Sequence, residues 1–156
     1  MPPLRILAAL CSLVSAPGLL HAQREKLPPE DFDVVEKTWP QAQKSNTGIR
    51  YVVERRGKGP LLLPGDLVMV HYVGKLLNGK VFDQNFDEKK PFSFRLGRGV
   101  VIEGWDQILQ LMRPGDKWLV IVPPELAYGR RGSPPLIPSY ATLVFEIEVL
   151  GIKKDS

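Results

Sequence analysis

The chain has 156 residues, 44% of them hydrophobic and 24% charged, with a formal net charge of +4. This length suits one globular domain with flanking segments, and a core of that size needs no disulfide staples. The one cysteine, Cys11, excludes a disulfide framework, and the small basic excess, scattered over "ERRGKG", "DEKKP" and "GRRG" beside turn residues, excludes a nucleic-acid-binding stripe.

The N-terminus reads as a targeting segment. Arg5 is the only charged side chain before Arg24, and the apolar run from Ile6 to Leu20, broken at Pro17-Gly18, is short for a membrane span. Ala22 in "LLHAQ" offers a small residue before a cut, although Leu20 is large for its place. Residues 1–22 are therefore expected to be a signal peptide. An uncleaved membrane anchor is the alternative. On the first reading the mature chain starts near Gln23, holds no cysteine and makes no stable membrane insertion. It would be exported, to the periplasm or the medium.

Residues 23–47 form a polar N-terminal extension or linker. Within it, "PPEDFDVVEKTW" places Phe32, Val35 and Trp39 at i, i+3 and i+7, with acids early and a lysine late. One or two turns of amphipathic helix ended by Pro40 are expected; a disordered linker is the alternative.

Strand patterns begin at Ile49. "IRYVVE" is β-branched, and "DLVMVHYVGKL" follows the Pro64-Gly65 turn. Asn78-Gly79 is a hairpin signal because both residues tolerate positive φ. "PFSFRLG" alternates, with Phe92, Phe94 and Leu96 on one face. In "VIEGWDQILQLMRPG", Trp105, Ile108, Leu109 and Met112 fall on one helical face. Glu103 and Asp106 lie at that helix's start and Arg113 at its end, as the helix dipole favours. "KWLVIV" and "YATLVFEIEVLGI" are the last strands. Leu143, Phe145, Ile147 and Val149 share one face of the second, with Glu146 and Glu148 on the other. Residues 48–156 thus read as one α+β domain, a short amphipathic helix packed on an antiparallel sheet that curls around it.

Catalytic constellations are scarce. His71 is the only histidine after residue 22, and it sits in a strand pattern. No Ser-His-Asp set or nucleophile elbow can be assembled. No zinc ligand set remains, and "GRGVVIEG" lacks the lysine and hydroxyl residue of a phosphate loop. An enzyme on this chain would use neither a nucleophile nor a metal, and no cofactor is expected.

Four segments in order, "VMVHYVGKLLNGKVFDQ", "KPFSFRLGRGVVIEGWDQILQLMRPGDK", "PPELAYGRRG" and "IPSYATLVFEIEVL", resemble the FKBP-type peptidyl-prolyl isomerases. The resemblance runs from about Gly48 to Ile152. It implies a five-stranded antiparallel sheet wrapped around one short helix. It also implies a proline pocket with Trp105 as floor, Tyr72, Phe82, Asp83 and Phe92 around it, Val101 and Ile102 at the rim, Tyr128 and Phe145 as walls, and Ile137 reaching in. Asp83 and Tyr128 would be the catalytic polar groups, and the Ile102 backbone would meet a bound carbonyl. Proline-containing polypeptides are the implied clients, and macrolides of the rapamycin and tacrolimus type the implied ligands. Ser133 and Tyr140 stand where many members carry histidine, and Pro135 where many carry glycine.

Three functions are open: an isomerase for exported proteins and a proline-peptide binding module with incidental turnover, which both use the pocket, and a generic holdase that uses exposed apolar surface. Finally, alternation puts Trp118, Val120 and Val122 towards the helix and Leu119 and Ile121 on the outer face of the sheet. The stripe of Phe32, Val35 and Trp39 is expected to cover that outer pair.

Overall fold

A computed structural model describes residues 24–154; the signal-peptide reading of residues 1–22 lies outside them. The extension forms helix α1 (Pro29–Thr38) and a two-residue strand β1 (Gln43–Lys44). The domain follows as β2 (Arg50–Arg55), β3 (Leu67–Leu76), β4 (Val81–Asn85), β5 (Phe92–Arg95), helix α2 (Glu103–Ile108), β6 (Lys117–Val122) and β7 (Leu143–Lys153).

All strand pairs are antiparallel, in the order β1-β2-β6-β7-β3-β4, with β5 also paired to β3. The five expected strands appear as seven segments for two reasons. The chain leaves the sheet between β4 and β5, which pair with successive halves of one edge of β3, residues 72–75 and 67–70. The extension then adds β1 beyond β2. Asn78-Gly79 makes the expected turn between β3 and β4: Gly79 has φ of 89°, and the Asn78 side chain accepts the Lys80 N–H.

The helix of the "VIEGWDQILQLMRPG" stretch is shorter than its apolar period. It is α-helical only to Ile108 and tightens into a 3-10 turn over Leu109–Leu111. The Met112 N–H bonds to the Leu109 carbonyl, and the Met112 carbonyl is taken by the Leu62 N–H at 3.0 Å. The last carbonyl thus leaves the helical ladder for a neighbouring segment, just ahead of Pro114. The apolar face survives, since Trp105, Ile108, Leu109 and Met112 are all buried. They meet Val68, Val70, Trp118, Val120, Val122, Ile147 and Val149 from the concave face of the sheet.

A second, smaller cluster covers the convex face. Leu27, Val35, Ile121 and Val144 are buried together, with Trp39, Leu77 and Leu119 packed against them. Val35 and Trp39 are therefore seated on the outer pair Leu119 and Ile121, whereas Phe32, expected beside them, lies against Arg50. The helix of the extension is longer than expected, ten residues. Pro29 begins it, Glu30 and Asp31 lie in its first turn and Lys37 in its last, an arrangement that suits a helix dipole. Arg50, on β2 beside Ile121 in register, fastens the helix. Its guanidinium pairs with Glu36 and, at 2.9 Å, with Glu25, and lies 5.3 Å from the centre of the Phe32 ring. Burial pushes the Glu25 carboxyl up, but the Leu27 N–H, Lys44 and Arg50 outweigh it and hold its pKa at about 2.

Candidate functional site

The concave face is closed at one end by rings and left open above them. Trp105, on the first turn of α2, lies 5.0 Å from Tyr72, 5.3 Å from Phe145 and 6.1 Å from Phe92, centre to centre and close to edge-on in each case. Edge-to-face contact favours these pairs. It also leaves a hollow of about 420 Å³ above the indole, bordered by Tyr72, Phe82, Asp83, Phe92, Val101, Ile102, Tyr128 and Phe145 together with Gly99, Val100 and Ala127. Eight of the ten residues expected at the pocket thus border one cavity. Trp105 lies beneath it, packed on three of its walls, and its buried indole N–H has no partner among the described residues. Ile137 is buried in the main core at the edge of the β6–β7 loop and does not border the hollow.

Strand register brings these groups together. Gly74 pairs with Asp83 on one side and Phe145 on the other. A Cβ at Gly74 would stand 2.6 Å from Phe82 Cζ and 2.9 Å from Phe145 Cε1. The absent side chain lets those two rings meet edge-on at 5.7 Å over the strand. Tyr72, two residues earlier, points to the same face. Its hydroxyl donates to Asp83 Oδ2 at 2.6 Å.

The rim is set by the turn ahead of α2. Asp106 reaches back and accepts the N–H groups of Gly97 at 2.8 Å and Gly99 at 3.0 Å. Both glycines hold positive φ, so the turn presents Val100 and Val101 to the hollow. The Ile102 carbonyl is occupied by the Trp105 and Asp106 N–H groups. Its own N–H has no partner among the described residues.

Two phenols face the cavity in different states. Tyr72 is tied to Asp83, and burial together with that carboxylate pushes its pKa well above the usual phenol value. Tyr128, 42% exposed, is raised by burial and by the Asp83 charge. Both keep their protons through the neutral range. Tyr72 spends its proton on Asp83, whereas the Tyr128 hydroxyl has no hydrogen-bond partner among the described residues and is free to donate to a ligand.

Gly74, Gly99, Val100, Ala127 and Asp106 were not singled out from sequence as site residues. For Gly99 and Val100 the signal is adjacency to Val101 in "GRGVV"; Ala127 is the neighbour of Tyr128 in "LAYG". Gly74 carries no local signal, since its role arises from two strands on either side. His71 lies outside the hollow, with its ring nitrogen 3.3 Å from the Asp87 carbonyl. Phe94 is core, stacked on Phe92 at 5.5 Å.

Comparison with known proteins bears on the family and the fold. The family model described as FKBP-type peptidyl-prolyl cis-trans isomerase matches residues 61–150. The chain is 43% identical over 133 residues to the peptidyl-prolyl cis-trans isomerase FKBP4 of Homo sapiens, a match covering 85% of this chain but only 28% of that protein's length. It is 51% identical over 92 residues to the peptidyl-prolyl cis-trans isomerase FKBP2 of Mus musculus, covering 59% of this chain and 66% of the relative. A solved peptidyl-prolyl cis-trans isomerase from Pseudomonas syringae superposes with a TM-score of 0.71 at 38% identity, over 80% of this chain and 90% of that one.

Proposed function

The chain belongs to the FKBP-type peptidyl-prolyl cis-trans isomerase family, and from that membership we propose that it accelerates rotation about X-Pro bonds in exported polypeptides. The single observation that carries the reading is the aromatic hollow over Trp105, with one free phenol and one free backbone N–H at its wall.

The reaction fits these groups. Planar amide resonance sets a rotation barrier of about 18–20 kcal/mol. Both isomers of an X-Pro bond are populated and exchange slowly. Twisting the bond ends the resonance and lessens charge separation between oxygen and nitrogen. An apolar ring-lined cavity therefore disfavours the planar, more dipolar amide relative to the twisted one. The proline ring rests on Trp105 between Tyr72, Phe92 and Phe145. The Tyr128 hydroxyl and the Ile102 N–H receive the carbonyls, and a donor that fits only the rotated geometry lowers the barrier selectively. Asp83 holds the Tyr72 phenol in place and keeps negative charge at the mouth. No proton is transferred. The same hollow takes macrolides of the rapamycin and tacrolimus type, and export is directed by residues 1–22.

The test is a cis/trans exchange assay on short X-Pro peptides with residues 23–156. Turnover is expected without metal or nucleotide, with inhibition by rapamycin or tacrolimus. Tyr128→Phe is expected to slow turnover about tenfold; at 42% exposure water competes for this donor, so the loss falls below the hundredfold of a water-excluded one. Asp83→Ala is expected to act in the same direction. A wild-type protein that binds macrolide yet shows no exchange would instead be a proline-peptide binding module. For export, mass spectrometry of the protein from its host is expected to find the start near Gln23; an intact Met1 species held in membranes would overturn that part.

A further inference from the structure

The loop between β6 and β7 carries two residues that border the hollow, Ala127 and Tyr128, and Ile137 of the core behind it. It is stitched internally: the Gly129 N–H bonds to the Pro124 carbonyl, the Tyr140 N–H to the Gly129 carbonyl, and Ser133 pairs with Ile137. Such bonds shape the loop but do not set its position on the sheet. Part of that position comes from the main core, through buried Leu126 and Ile137. Further contacts come from the N-terminal extension.

The extension touches the loop at both ends. The Thr142 hydroxyl, on the last residue before β7, donates to Asp31 Oδ2 at 2.6 Å. Lys26 pairs with Glu125 near the loop's start at 3.3 Å. The first turn of α1 and residues 138–142 border one cleft, and residues 24–30 border another with Pro124, Glu125 and Tyr140. The two contacts differ in weight. Lys26 and Glu125 are substantially exposed, and an ion pair in water holds little. Thr142 is 2% exposed, so its buried hydroxyl depends on Asp31 for its partner. Asp31 also stands one turn before Val35, which is buried against Val144 and Ile121. One rigid helix therefore grips the sheet with its middle and the end of the loop with its first turn.

We infer that Asp31 is a positioning residue for the proline site: through Thr142 it fixes the seat of the β6–β7 loop, and with it the placement of the Tyr128 hydroxyl over the hollow. The inference rests on the isomerase reading for its effect on rate. The placement itself is independent of that reading. A donor displaced by about an ångström loses much of its effect on a reaction that depends on alignment.

The experiment uses residues 23–156 with Asp31→Ala, Asp31→Asn, Thr142→Val and Thr142→Ser. The asparagine and serine variants keep an acceptor and a hydroxyl; the alanine and valine variants do not. Two readouts are taken: exchange of an X-Pro peptide, and the NMR signals of the Tyr128 ring and the Ile137 methyl groups. Asp31→Ala and Thr142→Val are expected to lower kcat/KM about threefold to tenfold, mainly in kcat, and to shift or broaden both signals. Asp31→Asn and Thr142→Ser are expected to stay within about twofold of wild type with unshifted signals. Wild-type rates and signals in Asp31→Ala and Thr142→Val would overturn the inference. Equal losses in all four variants would overturn it too, since the hydrogen bond would not be the link. If the wild type shows no exchange, the isomerase reading fails, and the NMR signals alone decide whether Asp31 seats the loop.

Discussion

The two faces of one sheet bury side chains for different ends. The concave face gathers rings, Tyr72, Phe92, Trp105 and Phe145, whose edge-on contacts leave a hollow open to solvent. The convex face gathers aliphatic side chains, Leu27, Val35, Ile121 and Val144, under a helix fastened through Glu36 by Arg50. Adjacent residues of β7 supply both: Phe145 to the aromatic hollow and Val144 to the convex side. A second hollow, of about 370 Å³, opens on the convex side beside Trp39, Leu119 and Val144. The two faces therefore differ in what lines them: edge-on rings make the walls on one side, and branched chains seat a helix on the other.

The contrast breaks most severely at Trp105. Trp105→Ala is expected to remove turnover and about 3–5 kcal/mol of stability in denaturant unfolding, since the indole is nearly fully buried under three walls of the hollow. A loss of turnover with unchanged stability would mean that the indole belongs to the site and not to the core.

Gly74→Ala tests the ring contacts from behind. Its Cβ would crowd Phe82 and Phe145, at an expected cost of about 1–3 kcal/mol for overpacking. Peptide affinity, read by titration of a non-exchanging proline ligand, is expected to fall as well. Unchanged affinity would show that the Phe82 ring can swing aside without affecting the hollow.

On the convex face, Val35→Ala removes two buried methyl groups and is expected to cost about 1–2 kcal/mol. Faster amide exchange in residues 29–38 is the accompanying sign. Exchange as fast as in an isolated peptide in the unaltered protein would show the helix undocked in solution.

A further effect is on pH. The Glu25 carboxyl is held at about 2, below its ordinary value of 4.5. A depressed carboxyl lends stability that is fully present above about pH 4.5 and is lost as pH falls towards 2. The extension is expected to loosen across that window, followed by Trp39 fluorescence. Glu25→Gln is expected to abolish the transition.

Much of this architecture was legible from pattern. β-Branched or alternating runs marked β2, β3, β5, β6 and β7, Asn78-Gly79 marked a turn, and Val35 and Trp39 of the amphipathic stripe matched the outward pair Leu119 and Ile121. The eight cavity-bordering residues expected for the site came from the ordered motifs of the family resemblance, not from periodicity, because a ring in a strand reads the same whether it fills a core or walls a pocket. Local pattern acts over a few residues, through backbone sterics and alternation of faces, and that suffices for elements and for which side is buried. Other features follow only from tertiary structure. The Met112 carbonyl, just past the helix that follows Ile102, is taken by the N–H of Leu62, far upstream. Gly74 matters because strands on both sides bring rings to its Cα. Asp31 meets Thr142 across 111 residues of chain. Each of these is a contact between segments distant in sequence, so its partner is set by how the sheet closes and not by any neighbouring residue.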